Sequence, residues 1–416
     1  MTIFQIIAVV LTLTAVGSYL NQRFMKFPAT IGLMVFSLLL SLASIALNKL
    51  GWIDLRDAST FVVQIDFSEV LLHGMLSFLL FASAVHINLD ELKSVKWSVT
   101  ILATVSVVMA TFITGSLVWF GADFIGLKLP YLYALLFGAL ISPTDPIAVL
   151  AILKEVKISK KLYVKIGGES LFNDGIGVVI FLTILALATG TEKLEFSTVS
   201  LALTQKALGG AVLGLLFGWS TYRLLRSIDA YKVEVLLTLA LVSGGYAFAE
   251  LLHVSAPIFM VVAGLFVGNR GRNFGMSEQT RNRLDGFWEL LDEILNAVLF
   301  MLIGLEIIVI TITGQHILLG ILAIAAVLVG RITSVGMAAG LMSFFRPFEW
   351  RTVGLLTWGG LRGGLSIAMA LSLPAGAEKA IILPITYIVV LFSILIQGLT
   401  FKPALKFLIK GPKQKS

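Results

Sequence analysis

The sequence predicts an all-α protein that crosses a lipid bilayer about thirteen times, and three observations carry that prediction. Of its 416 residues 58% are hydrophobic and 13% charged, against roughly 25% charged in an ordinary soluble domain. Apolar windows of about 20 residues, the length a helix needs to cross about 30 Å of hydrocarbon, recur along the whole chain. The basic residues fall mainly on alternate loops between those windows, as the retention of Lys and Arg on the cytoplasmic side requires.

In chain order the windows cover about 3–21, 29–48, 70–87, 97–120, 131–153, 162–189, 205–226, 232–251, 255–269, 288–312, 316–344, 351–373 and 380–401. The first has no basic flank before it and runs into "NQRFMKF" without a small-residue cleavage site, so it reads as a retained span rather than a signal peptide. The ninth is short and the sixth and eleventh are long, which leaves twelve as the competing count. Loop charge favours thirteen. With the N-terminus outside, the inner loops receive Arg23 and Lys26, Lys93 and Lys96, the lysines from Lys154 to Lys165, Arg223 to Lys232, Arg270 to Arg283, and Arg346 and Arg351; the outer loops hold only Lys49, Arg56, Lys128, Lys193, Lys206 and Lys379. The C-terminus is then cytoplasmic, and 402–416 forms a short basic tail. The net charge of +7 is thus a topological signal and not a nucleic-acid surface. No cysteine occurs, which excludes disulfides and thiolate metal sites, and no nucleotide-binding motif is present.

Five ionisable residues break the apolar windows in a way topology does not explain: Asp145, Glu169, Asp174, Arg331 and Arg362. Charges at membrane depth cost a few kcal/mol each by insertion scales, so they pair with one another or line an ion path. Three acids against two bases leave one negative charge unmatched, and a cation could supply the balance. In the fifth span, "SPTDPIAVL" flanks Asp145 with Pro143 and Pro146; two missing donors predict an unwound segment near Thr144 with free carbonyl oxygens, which are hard-cation ligands. The twelfth span holds "GGLRGGLS", whose four glycines permit a similar break. Spans five and twelve are related as two six-helix repeats of inverted topology joined by a linker helix would relate them, and matched broken segments mark the midplane site of a secondary transporter. The sixth span carries "GGESLFNDGIG": Glu169 and Asn173, and Ser170 and Asp174, are each four apart, so polar oxygens line one helix face while the flanking glycines let another backbone approach.

In these three motifs, "SPTDPIAVL", "GGESLFNDGIGVVIF" and "GLRGGLSIAMALSLP", the chain resembles the cation/proton antiporters of the first monovalent type, the NhaP-like branch related to the animal sodium/proton exchangers. The resemblance implies an NhaA-like fold with crossed discontinuous helices in spans five and twelve. It implies a core from about 97–189 and 316–401, a dimerisation part from about 1–87 and 232–312, a linker helix at about 205–226, and a homodimer. It further implies Na⁺ bound by Asp145, Asp174, Ser170 and Thr144, with Asn173 stiffening the site, Glu169 paired with a buried arginine, Arg331 favoured for that pair, and Arg362 steadying the broken twelfth helix. Where many relatives have a glutamate in the third span, this chain aligns Ala82; nearby His86 and Asn88 read as interfacial.

The expected activity is exchange of Na⁺ or Li⁺ for H⁺ at one carboxylate site without any cofactor, electroneutral because Asn173 beside Asp174 leaves a single group to change protonation. A K⁺/H⁺ antiporter is the alternative, since K⁺ coordination is chemically close. A sodium-coupled organic anion symporter would need a polar pocket that the apolar neighbours do not offer. An intramembrane hydrolase is not expected, because it would need a nucleophile–base set, and HExxH and GxSxG are missing and Ser170 has no histidine within a turn. The short tail and the lack of cysteine fit a bacterial inner membrane.

Overall fold

The computed structural model describes residues 2–52, 54–156, 160–190, 196–271, 278–343 and 350–409. Among them there is no strand. This is the structure lipid demands, since an α-helix satisfies its own backbone.

Helix α1 (Phe4–Met25) begins on a capping box in which the Gln5 N–H donates to Thr2 Oγ1 at 3.3 Å and the Thr2 N–H to Gln5 Oε1 at 2.9 Å. It turns into α2 (Ala29–Lys49) at a corner where the Asn21 amide bonds both the N–H and the carbonyl of Phe27. A short helix α3 (Leu55–Gln64) follows in a segment the hydropathy windows did not mark. Then come α4 (Phe67–Val85), α5 (Leu89–Phe124) and two half-helices, α6 (Tyr131–Ile141) and α7 (Ile147–Val156). The chain continues through α8 (Lys160–Ala188), α9 (Phe196–Arg226), α10 (Tyr231–Leu251), α11 (Ala256–Arg270), α12 (Glu278–Glu306) and α13 (Gly314–Ser343). The half-helices α14 (Trp350–Trp358) and α15 (Gly364–Leu371) and the long α16 (Ala377–Leu408) complete it.

Nine of these are long and apolar enough to cross a membrane: α1, α2, α4, α5, α8, α9, α10, α13 and α16. The other four predicted spans fall on the shorter apolar α6 with α7, on the short apolar α11, on the acid-bearing α12, and on α14 with α15. The boundaries differ where polar turns extend an apolar window. Helix α5 begins at Leu89 rather than near 97 because Asn88 Oδ1 accepts from the N–H groups of Asp90 and Glu91. Helix α12 covers Glu278–Glu306 where hydropathy marked 288–312. Helix α16 runs past the expected boundary at 401, because Phe401 and Leu405 are buried and Leu408 lies over Gly354 of α14. The remainder of the predicted tail, 410–416, lies outside the described residues.

The helices pack in two sets. One contains α5 to α8 and α13 to α16, and the other α1, α2, α4 and α9 to α12, with α7, α8, α15 and α16 touching both. The glycines of the "GGAVLGLLFG" stretch serve packing alone: Gly210, Gly214 and Gly218 bring α9 against the backbone of Ser255, Phe259 and Ala263. Large apolar side chains such as Phe4, Leu39, Phe120, Leu215, Leu236 and Ile321 are exposed on the outside of the bundle, a surface matched to lipid.

Candidate ion-binding site

Between α6 and α7 the chain from Ser142 to Pro146 is not helical, and between α14 and α15 the same holds around Gly360 to Gly363. The two breaks meet. The Asp145 N–H donates to the Leu361 carbonyl at 2.8 Å, so each unwound segment supplies a partner the other lacks. A methyl group at Gly363 would overlap the Asp145 carboxyl; glycine is required there because the carboxylate lies directly on the backbone.

Each break leaves one half-helix C-terminus at its edge, with unpaired carbonyls and a partial negative charge. A buried arginine serves each. Arg362 Nη1 donates to the carbonyls of Ser142 at 2.6 Å and Pro143 at 2.9 Å, at the end of α6. Arg331, on α13, donates through Nε and Nη2 to the Leu356 carbonyl in α14 at 3.3 and 3.2 Å. Arg331 Nη2 also meets Glu169 Oε1 at 2.6 Å, so Glu169 faces Arg331 and not Arg362. The backbone N–H of Arg362 is taken by Ser393 Oγ of α16 at 2.8 Å. At the opposite, positive ends stands Asp145: its Oδ1 accepts the Ile147 N–H of α7 at 3.0 Å, and its carboxyl lies on Gly363 at the start of α15.

Helix α8 forms the wall beside the breaks. Gly177 lets it close on the Pro143 ring, with which a methyl group would collide. The Asn173 amide is engaged at both ends, Oδ1 accepting from the Thr144 N–H at 3.2 Å and Nδ2 donating to Thr144 Oγ1 at 2.9 Å. The Thr144 and Ser170 hydroxyls are 3.1 Å apart. Asp174, one turn beyond Ser170, has no hydrogen-bond donor among the described residues. It faces a cavity of about 840 Å³ that Asp145, Pro143, Gly363 and Ser366 also line. The eight residues singled out in the sequence therefore converge on the crossing, with Asp145 and Asp174 in the cavity and Glu169, Asn173, Thr144 and both arginines buried behind it.

Ala82 also lines the cavity and has no side-chain oxygen to bring to it. His86 and Asn88 stand near its mouth with local duties, His86 Nδ1 against the Ala82 carbonyl at 2.7 Å and Asn88 capping α5. No cluster of three or more His, Cys, Asp or Glu able to hold a metal occurs among the described residues. Sequence reading passed over the polar face of α12, where Glu289, Asp292, Glu293 and Asn296 line the cavity opposite the breaks. Their helical spacing was the available signal; the strongly apolar second half of that window masked it.

Comparison with known proteins agrees with this geometry. The chain is 47% identical over 417 residues to the Na(+)/H(+) antiporter NhaP of Pseudomonas aeruginosa, covering 99% of this chain and 98% of the relative. It is 35% identical over 392 residues to the Na(+)/H(+) antiporter NhaH of Halobacillus dabanensis, covering 92% and 93%. The structure of the sodium proton antiporter MjNhaP1 from Methanocaldococcus jannaschii superposes with a TM-score of 0.76 at 19% identity, over 98% of this chain and 100% of that one, and so shares the fold. The profile described as sodium/hydrogen exchanger, transmembrane, matches residues 8–407, a stretch that includes both helix breaks and the polar wall of α8; the chain belongs to the sodium/hydrogen exchanger family.

Proposed function

We propose that the protein is a secondary antiporter in which Na⁺ and H⁺ compete for Asp174, one cation replacing one proton. The observation that carries this reading is a carboxyl with no donor among the described residues, at membrane depth, facing a cavity beside a second carboxyl that already meets two helix N-termini. A charge so placed needs a neutralising partner. A proton supplies one, a metal cation another, and each displaces the other. If only the loaded forms reorient, competition alone couples the two fluxes.

In this reading Asp145, the Ser170 hydroxyl and Thr144 complete the oxygen set around the ion, a hard donor set suited to Na⁺ and Li⁺. The description of the relatives as Na(+)/H(+) antiporters favours Na⁺ over K⁺. Asn173 holds Thr144 in place, Glu169 and Arg331 tie α8 to α13, and Arg362 secures the α6 end. The cavity mouth is lined by Lys154 and Lys160, which the charge alternation assigns to the cytoplasm, so the conformation is inward-facing with the N-terminus outside and the C-terminus cytoplasmic. The set from α5 to α8 and α13 to α16 acts as a core that rocks against the other. A homodimer in a bacterial inner membrane completes the proposal.

The experiment is reconstitution into proteoliposomes with an imposed pH gradient. Proton efflux driven by Na⁺ or Li⁺ and much weaker with K⁺ is expected. Equal stimulation by K⁺ would overturn the sodium specificity, and cation-independent flux would overturn exchange.

A further inference from the structure

Opposite the crossed breaks, the far wall of the cavity is α12, and its polar face has no part in the exchange site described above. Glu289, Asp292, Glu293 and Asn296 repeat at i, i+3, i+4 and i+7, so they run down one face toward the site. Burial deepens along that line: Glu289 and Glu293 are exposed, Asp292 is half-buried, and Asn296 is 2% exposed. One turn further on, Leu299 closes the face against Gly364 at the start of α15. The Asn296 amide is half engaged. Its Nδ2 donates to the Asp292 carbonyl at 2.8 Å, while its Oδ1 is buried without a partner among the described residues.

A buried amide oxygen on a residue of the cavity wall, left without a donor among the described residues, calls for one. Water or a cation can serve it, and the neighbouring carboxylate selects the cation. Asp292 also lies within electrostatic range of Asp145, so the α12 wall and the exchange site share one field. Two protein oxygens, one of them neutral, are too few for a calcium site, which takes six to eight. They suit a monovalent ion that keeps much of its water.

We propose that Asp292 and the Asn296 carbonyl form a second, weaker station for a partly hydrated monovalent cation on α12, which loads and unloads the Asp145–Asp174 site across the cavity. Glu289 and Glu293 at the mouth raise the local cation concentration, and Asp292 with Asn296 holds the ion one step from exchange. The station belongs to the helix set that faces the core, so it does not travel with the ion. Its effect is therefore on capture and not on the number of charges moved. This inference rests on the exchange reading above.

The test uses full-length protein in proteoliposomes, with Na⁺ titrated on the cavity side. Asp292→Asn is expected to raise the Na⁺ KM about tenfold at low ionic strength, the lower end of what focused charge contributes, while the maximal rate stays within about twofold of wild type. Asp292→Glu restores the KM, and choline chloride raises the wild-type KM toward that of Asp292→Asn by screening. Asn296→Leu raises KM in the same direction. Binding gives a readout independent of turnover: Asp174→Asn protein retains weak ²²Na⁺ binding that the Asp174→Asn/Asp292→Asn double variant loses. An unchanged KM in Asp292→Asn, or a fall in maximal rate that Asp292→Glu does not restore, overturns the station. Absence of Na⁺-driven proton flux in the wild type would instead overturn the exchange reading.

Discussion

Glu169 on α8 and Arg331 on α13 meet at 2.6 Å with 1% and 3% of their side chains exposed, and the same guanidinium holds the Leu356 carbonyl of α14. Three helices are joined at one buried charge. Breaking such a pair by removing one partner costs about 3–5 kcal/mol. Glu169→Gln and Arg331→Gln are each expected to lower the melting temperature markedly, Arg331→Gln the more because it also frees Leu356. The double variant should be no less stable than the worse single one, which a thermal double-mutant cycle measures. Wild-type melting of both singles would remove the pair from the fold's support.

Asp174→Asn has the opposite signature. The carboxyl gives up no donor among the described residues, and the change removes a charge that is costly at membrane depth. The variant is expected to melt at or above the wild-type temperature and to carry no Na⁺-driven proton flux. Retained flux would place the exchanging carboxyl elsewhere.

Arg362 bonds two carbonyls at the end of α6. Both bonds come from Nη1 alone, and a lysine ends in a compact, strongly hydrated ammonium on a shorter side chain, so Arg362→Lys should reach these carbonyls less well, at about 1–3 kcal/mol. Melting should show a partial loss of stability and flux a larger fall in rate. Arg362→Lys indistinguishable from wild type in both would show that the break holds itself.

Gly177 and Gly336 separate packing from propensity. At Gly177 an added methyl group meets Pro143, whereas at Gly336, on α13, nothing lies within reach. Gly177→Ala is expected to destabilise by about 1–3 kcal/mol, the cost of overpacking, and to slow exchange by pushing the break from α8. Gly336→Ala should be neutral or gain up to about 1 kcal/mol of helix propensity. Parallel melting curves decide between these outcomes.

One-for-one exchange predicts indifference to voltage. An exchanger moving one unbalanced charge would feel about 2.3 kcal/mol per 100 mV. With opposing Na⁺ and pH gradients of equal ratio, flux should stay at zero at every clamped potential. A balance point that shifts with voltage would overturn the stoichiometry.

The crossings and the polar elements of the site were legible because each violates a local expectation: prolines inside an apolar window, glycines in a helix, polar oxygens four residues apart at membrane depth. What was not legible is what needs a partner in space. Nothing near Arg362 names Ser142 and Pro143 as the carbonyls it holds, and nothing near Asn173 shows that both ends of its amide close on Thr144. The α12 wall was missed for a different reason. Asp292 and Asn296 share a window with "AVLFMLIGL", whose hydrophobicity averages their polarity away, though their spacing marks a face. The longer helix ends at Leu89 and Leu408 follow from caps and packing that a hydropathy window does not see.

If exchange is one for one, the Asn173 amide, closed on Thr144 at both ends, sets a limit on what the protein can do for a cell. It places a neutral group where a second proton could otherwise have been carried, so under one-for-one exchange the sodium ratio across the membrane can rise only as far as the proton ratio, about tenfold for each pH unit or 1.4 kcal/mol. The membrane potential adds nothing. Such a protein serves a cell that keeps its interior more alkaline than its surroundings; where the outside turns alkaline, the same machinery runs in reverse and lets sodium in.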